Sequence, residues 1–124
     1  MPTLTTQPSI IPPAGTKPKL IEEYVGRVAT QDGTVSIARI VCSPGWTENG
    51  QQPEFAETKV VLKGKILVEH KQGAIEVQAG QAVTCHPGEW VRYSTPNGAE
   101  YLAVCVPAFS PQTVHRDPDV KVFD

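Results

Sequence analysis

Between Leu20 and Val106 short runs of β-branched and aromatic residues are separated by pairs of turn formers, and no window places apolar residues at helical spacing. The turn pairs are Asp32-Gly33, Pro44-Gly45, Lys63-Gly64, Gln72-Gly73, Ala79-Gly80, Pro87-Gly88 and Asn97-Gly98. Recurring roughly every 8–12 residues, with one longer gap, they predict an all-β barrel or sandwich. The predicted strands are Leu20–Thr30 with a break at Gly26, Thr34–Cys42, Glu57–Leu62, Lys65–His70, Ala74–Gln78, Ala82–His86, Trp90–Ser94 and Glu100–Val106. In the second of these, Val35, Ile37, Arg39 and Val41 alternate with Ser36, Ala38, Ile40 and Cys42, so both faces are fairly apolar, as in a wall covered on both sides.

The two ends read differently. Pro2, Pro8, Pro12, Pro13 and Pro18 exclude helix and central strand, so residues 1–18 are expected to form an extended, mobile arm ahead of a barrel over 19–108. Pro111 and Pro118 mark 109–124 as an irregular tail in which His115 and Arg116 are solvated and Val120-Lys121-Val122-Phe123 either docks as a short edge segment or dangles. At 124 residues this is one domain, long enough to bury about two-thirds of its unfolded surface.

Charge narrows the partners. A formal net charge of -2 with Lys and Arg scattered along the chain makes nucleic acid and anionic membrane poor candidates. No stretch approaches ~20 apolar residues, and the first residues have neither a basic start nor a signal-length apolar run, so a cytoplasmic protein is expected. Cys42, Cys85 and Cys105 lie in apolar runs without a C-x-x-C pair, which suits reduced thiols packed as small hydrophobes.

One spacing carries more. Gly45, five residues, Gln51, one residue, Pro53, three residues, Glu57, six residues and Gly64 form one motif; Gly80, five residues, then His86-Pro87-Gly88, with Val91 beyond, form another. Together they resemble the two motifs of the cupin superfamily, in which histidines stand where Gln51, Pro53 and Val91 stand here. The resemblance implies a double-stranded β-helix, a jelly-roll barrel with a degenerate metal site. The segment from Lys59 to Ala108 is also similar to the cupins encoded with ethanolamine-utilisation enzymes, whose barrels lack the metal histidines too. Proline and valine have no lone pair to give and Gln51 offers only a neutral carbonyl, so no metal and no cofactor are expected.

Strand parity then defines a candidate site. With Glu57 inward, Lys59 and Val61 share its face, and Val91, Tyr93 and Thr95 share another. A ligand-binding set of Trp46, Gln51, Glu57, Lys59, Val91 and Tyr93 follows, with Trp46 and Trp90 at the barrel mouth and Glu57 and Lys59 able to neutralise one another. The expected function is the binding of a small polar molecule without the usual metal. The alternatives are a metal-dependent isomerase, dioxygenase or decarboxylase using Glu54, His70 or His86 as substitute ligands, and a structural or regulatory module with a filled barrel. Self-association is expected as a homodimer in which residues 8–25, with Ile10 and Ile11, cross onto the partner and cover open sheet edges.

Overall fold

The computed structural model describes residues 1–118, so the segment Val120-Lys121-Val122-Phe123 lies outside the described residues. Nine strands follow in order: β1 (Ser9–Ile10), β2 (Lys19–Val25), β3 (Ser36–Cys42), β4 (Trp46–Thr47), β5 (Ala56–His70), β6 (Gly73–Gln78), β7 (Ala82–Cys85), β8 (Val91–Thr95) and β9 (Ala99–Val106). Every pairing between them is antiparallel. The order β1-β2-β3-β9-β5-β8-β4, with β6 and β7 also on β5, curls the strands into a jelly-roll barrel. No helix among the described residues is long and apolar enough to cross a membrane.

β5 joins the two walls, and here the sequence expectation is corrected. Lys63-Gly64 was expected to end one strand and begin another, yet β5 runs unbroken for 15 residues. Its first half pairs with β7 and β9, its second half with β6 and β8. The register slips between Val61 and Lys63, and the strand turns the corner there. Gly64 sits at φ +72°, where a Cβ would lie 2.3 Å from the Gly98 carbonyl oxygen. Glycine at this point serves a corner and a close backbone approach rather than a hairpin.

A second correction concerns β2, which stops at Val25 instead of resuming after Gly26. The buried Glu23 carboxylate accepts the amides of Val28 (3.1 Å) and Ala29 (2.9 Å), folding those residues back as turns. These side-chain bonds give the backbone an alternative to the sheet ladder.

The interior is graded in size. The inward residues of β3 and β9 face each other as Ser36 with Cys105, Ala38 with Ala103, and Ile40 with Tyr101. On β5, Glu57 pairs with Cys105, Lys59 with Ala103, and Val61 with Tyr101. Bulky side chains fill the barrel from Ile40, Val61 and Tyr101 onward, joined by Trp46, Ile66, Val68 and Tyr93. Small ones at the other end leave room.

That open end is closed by the two proline-spaced termini. The arm, expected to be extended and mobile, contributes the edge strand β1, which pairs Ser9 with Glu23 and Ile10 with Glu22 on the outer edge of β2. The tail runs back along residues 50–54, through Glu54 N to Thr113 O (3.0 Å), Gln52 N to His115 O (3.1 Å) and Asp117 N to Gly50 O (2.7 Å). Trp90, expected at the mouth, clamps this tail: its Nε1 donates to the Asp117 carboxylate at 2.8 Å while its ring covers Gly50. The tail through residue 118 is therefore hydrogen-bonded structure, and Val114 is buried with Phe55 and Cys105 in a second apolar cluster against which the half-buried Phe109 packs.

Candidate functional site

The small residues at the open end frame a cavity of about 80 Å³. Ala38, Ala103 and Cys105 form part of its wall, and Ile11, Pro12 and Ala14 of the arm and Phe109 and Arg116 of the tail complete it. Two ionic groups face the space.

The deeper group is Glu57 with Lys59. Alternation along β5 puts both inward, and Lys59 Nζ donates to Glu57 Oε2 at 2.7 Å with side-chain exposures of 5% and 9%. Lys59 also stands over the Tyr93 ring, 3.9 Å from its centroid, and 5.3 Å from that of Tyr101. Burial pulls the Lys59 pKa down, but the charge and hydrogen bond of Glu57 outweigh it, so the net shift is upward and the group stays an ammonium. Burial pushes the phenols of Tyr93 and Tyr101 well above the usual tyrosine range. Their hydroxyls meet sulfur, Tyr93 at Cys85 (3.2 Å) and Tyr101 at Cys42 (3.7 Å).

The outer group is Glu48 with Arg116, Gln51 and Lys19. Arg116 Nη1 donates to Glu48 Oε2 (2.7 Å) and to Gln51 Oε1 (3.0 Å), while Lys19 Nζ stands 3.9 Å from the same Glu48 oxygen. Lys19 also lies 4.2 Å from the Trp46 ring centroid, and burial lowers its pKa, with Glu48 only partly offsetting the effect.

Of the residues read from sequence, Gln51, Glu57 and Lys59 line the cavity. Tyr93 touches Lys59 from behind, within the core. Val91 is buried in that core too, and its backbone exchanges both hydrogen bonds with Gln51. Trp46 is not at the mouth: it is buried, its Nε1 donating to Ala14 O at 2.9 Å, so it anchors the arm. Arg116 is not solvated as expected but ion-paired, whereas His115, which contacts Glu54, is exposed. Lys19, Glu48 and Arg116 were missed. Glu48 had a usable signal, since it shares the inward parity of Trp46; a tail arginine returning to the barrel had none.

No family model matches the chain. Over 101 residues, 80% of its length, it is 35% identical to the endoribonuclease YbeY of Myxococcus xanthus, and it covers 34% of that protein, so it spans about a third of the relative's length. Among solved structures it is similar to the polyketide cyclase RemF from Streptomyces resistomycificus, at TM-score 0.74 and 18% identity over 98% of this chain and 87% of that one. It is also similar to a cupin-like protein from Thermotoga maritima, at TM-score 0.69 and 13% identity over 86% and 82% of the two chains. The ethanolamine utilisation protein EutQ from Salmonella typhimurium matches at TM-score 0.59 and 19% identity, over 73% and 71%. The chain has the cupin fold.

The cupin metal can therefore be tested against these residues. Glu57 is engaged by Lys59, Gln51 Oε1 by Arg116, and Pro53 and Val91 have no donor atom. The substitutes considered from sequence do not converge. Glu54 contacts His115, His70 Nδ1 accepts the Gln72 amide at 3.3 Å, and His86 adjoins Glu89. Among the described residues no three of His, Cys, Asp and Glu gather to hold an ion. An ammonium fixed against the inherited carboxylate opposes a second cation there, and the set does not fit a transition metal.

Two outcomes follow. Replacing Glu57 with Ala strands the Lys59 charge in the barrel and should cost about 3–5 kcal/mol in urea unfolding, with most of it regained when Lys59 is changed to Met as well. Because the Lys59 pKa is raised on folding, the pair's contribution is complete below the ordinary lysine value and falls only as pH rises through the folded value. An unfolding free energy unchanged in the single variant at pH 7 would refute the pairing.

Protein purified without chelator should carry well under one equivalent of transition metal, and EDTA should leave its melting temperature unchanged. A tightly bound ion would stabilise the fold by several kcal/mol, so elemental analysis with a thermal scan is a sensitive check. Near-stoichiometric iron, zinc, manganese or nickel would contradict the assignment.

Proposed function

We propose that this cupin barrel binds a small polar molecule in the cavity, without a transition metal. The observation that carries the reading is the cavity itself, bounded by paired charges on one side and small or apolar side chains on the other. A space of about 80 Å³ holds several waters or a compact guest, since one water needs roughly 10–15 Å³ by this measure. Polar groups placed on a largely apolar wall are the usual means of orienting such a guest. The upward shift of Lys59 favours binding over catalysis by that residue, because a persistent ammonium donates hydrogen bonds but is a poor base or amine nucleophile.

The ribonuclease activity of the M. xanthus relative is not carried over, since this chain spans about a third of that protein. On the surface Arg39 pairs with Glu22 and Glu100, Lys65 with Glu76, and Arg92 with Glu69, and the chain's formal net charge is -2. A net negative chain with scattered cations is a poor match for a phosphate backbone. Three buried free thiols support a cytoplasmic setting.

The test is thermal shift against a library of small polar metabolites, with an Ala103→Leu variant whose larger side chain fills the cavity. A true guest at a hundred times its Kd should stabilise the wild-type chain by about 2.7 kcal/mol and leave Ala103→Leu unmoved. Compounds that stabilise both proteins equally bind elsewhere, and a library without a single wild-type shift would sink the reading.

The same arm that walls the cavity supports a proposal of self-association. Ser9 and Ile10 add to the free edge of β2, and the identical edge on a second copy would accept them equally well if residues 11–18 swung across. Exposed Leu20, Tyr24, Val60, Leu62 and Val106 leave apolar surface for that copy to cover. We propose a homodimer built by exchanged arms. Light scattering should give a dimer for the full chain and a monomer for a chain starting at Lys19; a full-length monomer refutes the dimer, and an undiminished dimer after truncation refutes the exchange.

A further inference from the structure

We infer that the molecule bound in the cavity is a small organic carboxylate, and that Lys19 is the residue that holds it. The inference rests on the binding reading above and gives it a chemical class. Among the described residues three cationic side chains line the cavity, Lys19, Lys59 and Arg116, against the two carboxylates Glu48 and Glu57, so this lining carries one positive formal charge in excess. The excess can be assigned. Lys59 is matched by Glu57 at 2.7 Å and Arg116 by Glu48 at 2.7 Å. Lys19 has only a distant share of Glu48, at 3.9 Å, and the face of Trp46.

Among the described residues the Lys19 ammonium makes no hydrogen bond, although its side chain is only 7% exposed. An ammonium carries three donors, and taking it from water without an acceptor is costly. The direction of its pKa shift, downward through burial, expresses the same deficit. Nor is Lys19 sealed off, since among the described residues no fully buried side-chain nitrogen or oxygen lacks a partner, and Lys19 lines the cavity. A guest in that cavity would therefore lie beside a lysine whose nearest carboxylate oxygen is 3.9 Å away.

A carboxylate supplies both missing quantities, one negative charge and oxygen acceptors. The rest of the wall decides what the carboxylate is attached to. Ile11, Ile21, Ala38 and Ile40 form an apolar side suited to a short carbon chain, and Ser36 adds a hydroxyl. An inorganic oxyanion would leave that apolar side facing nothing but water.

The experiment is calorimetric titration of the full-length protein with acetate, propionate and lactate, with the matching amides acetamide, propionamide and lactamide, and with inorganic phosphate. It is repeated on Lys19→Met and Lys19→Arg, with melting temperatures recorded to confirm folding. At least one carboxylate should bind about tenfold or more tighter than its amide, as a charged hydrogen bond of roughly 1.5–3 kcal/mol predicts. Lys19→Met should abolish that preference and Lys19→Arg should keep most of it. The inference is overturned if an amide binds as tightly as its acid, if phosphate binds and the carboxylates do not, or if Lys19→Met retains the preference. In the first of these cases cavity binding still stands; failure of every probe together with an empty metabolite screen brings down the binding reading itself.

Discussion

A lysine ammonium in the middle of a barrel dictates most of what surrounds it. Removed from water, Lys59 is tolerable only with a compensating charge in direct contact, and Glu57, two residues away on the same face of β5, supplies it at 2.7 Å. The rings of Tyr93 and Tyr101 add quadrupolar attraction on the remaining sides. Neither member of the pair can be lost alone, which ties the architecture of the wall to the chemistry of the cavity.

The same pair also occupies the carboxylate that the cupin motif pattern assigns to a metal. In the family pattern the inherited carboxylate and neighbouring histidines surround a cation; here the carboxylate remains and the cation is a side chain of the strand itself. A covalently attached charge needs no entry path and no ligand set, and it places no demand on Pro53 and Val91 for a donor atom. Unlike a metal ion, an ammonium donates hydrogen bonds but offers no vacant coordination position.

How much of this was legible in the sequence depended on whether the controlling interactions were local. Most turn pairs fall between strands, and period-two alternation placed Glu57 and Lys59 together correctly, because both follow from neighbouring residues. Lys63-Gly64 misled because glycine serves a hairpin and a strand corner by the same conformational freedom, and only the approach of Gly98 distinguishes them. Val28 to Thr30 read as strand by composition, yet the Glu23 carboxylate holds that segment in turns. The strand part of the site was readable, whereas Lys19, Glu48 and Arg116 meet only through contacts between segments 29 and 68 residues apart in sequence.

That division has a functional side. Strand β5 supplies a neutral pair, Glu57 with Lys59, and so adds no net charge to the cavity. The surplus charge enters at the rim, where Lys19 begins β2 directly after the proline-spaced arm and Arg116 arrives with the tail. Arg116 uses its charge to hold the tail against Glu48 and Gln51, which frees Lys19 from full pairing with Glu48. Closure of the cavity and its charge thus depend on one shared carboxylate: the more closely Arg116 engages Glu48 at 2.7 Å, the less of that charge is left to offset Lys19 at 3.9 Å.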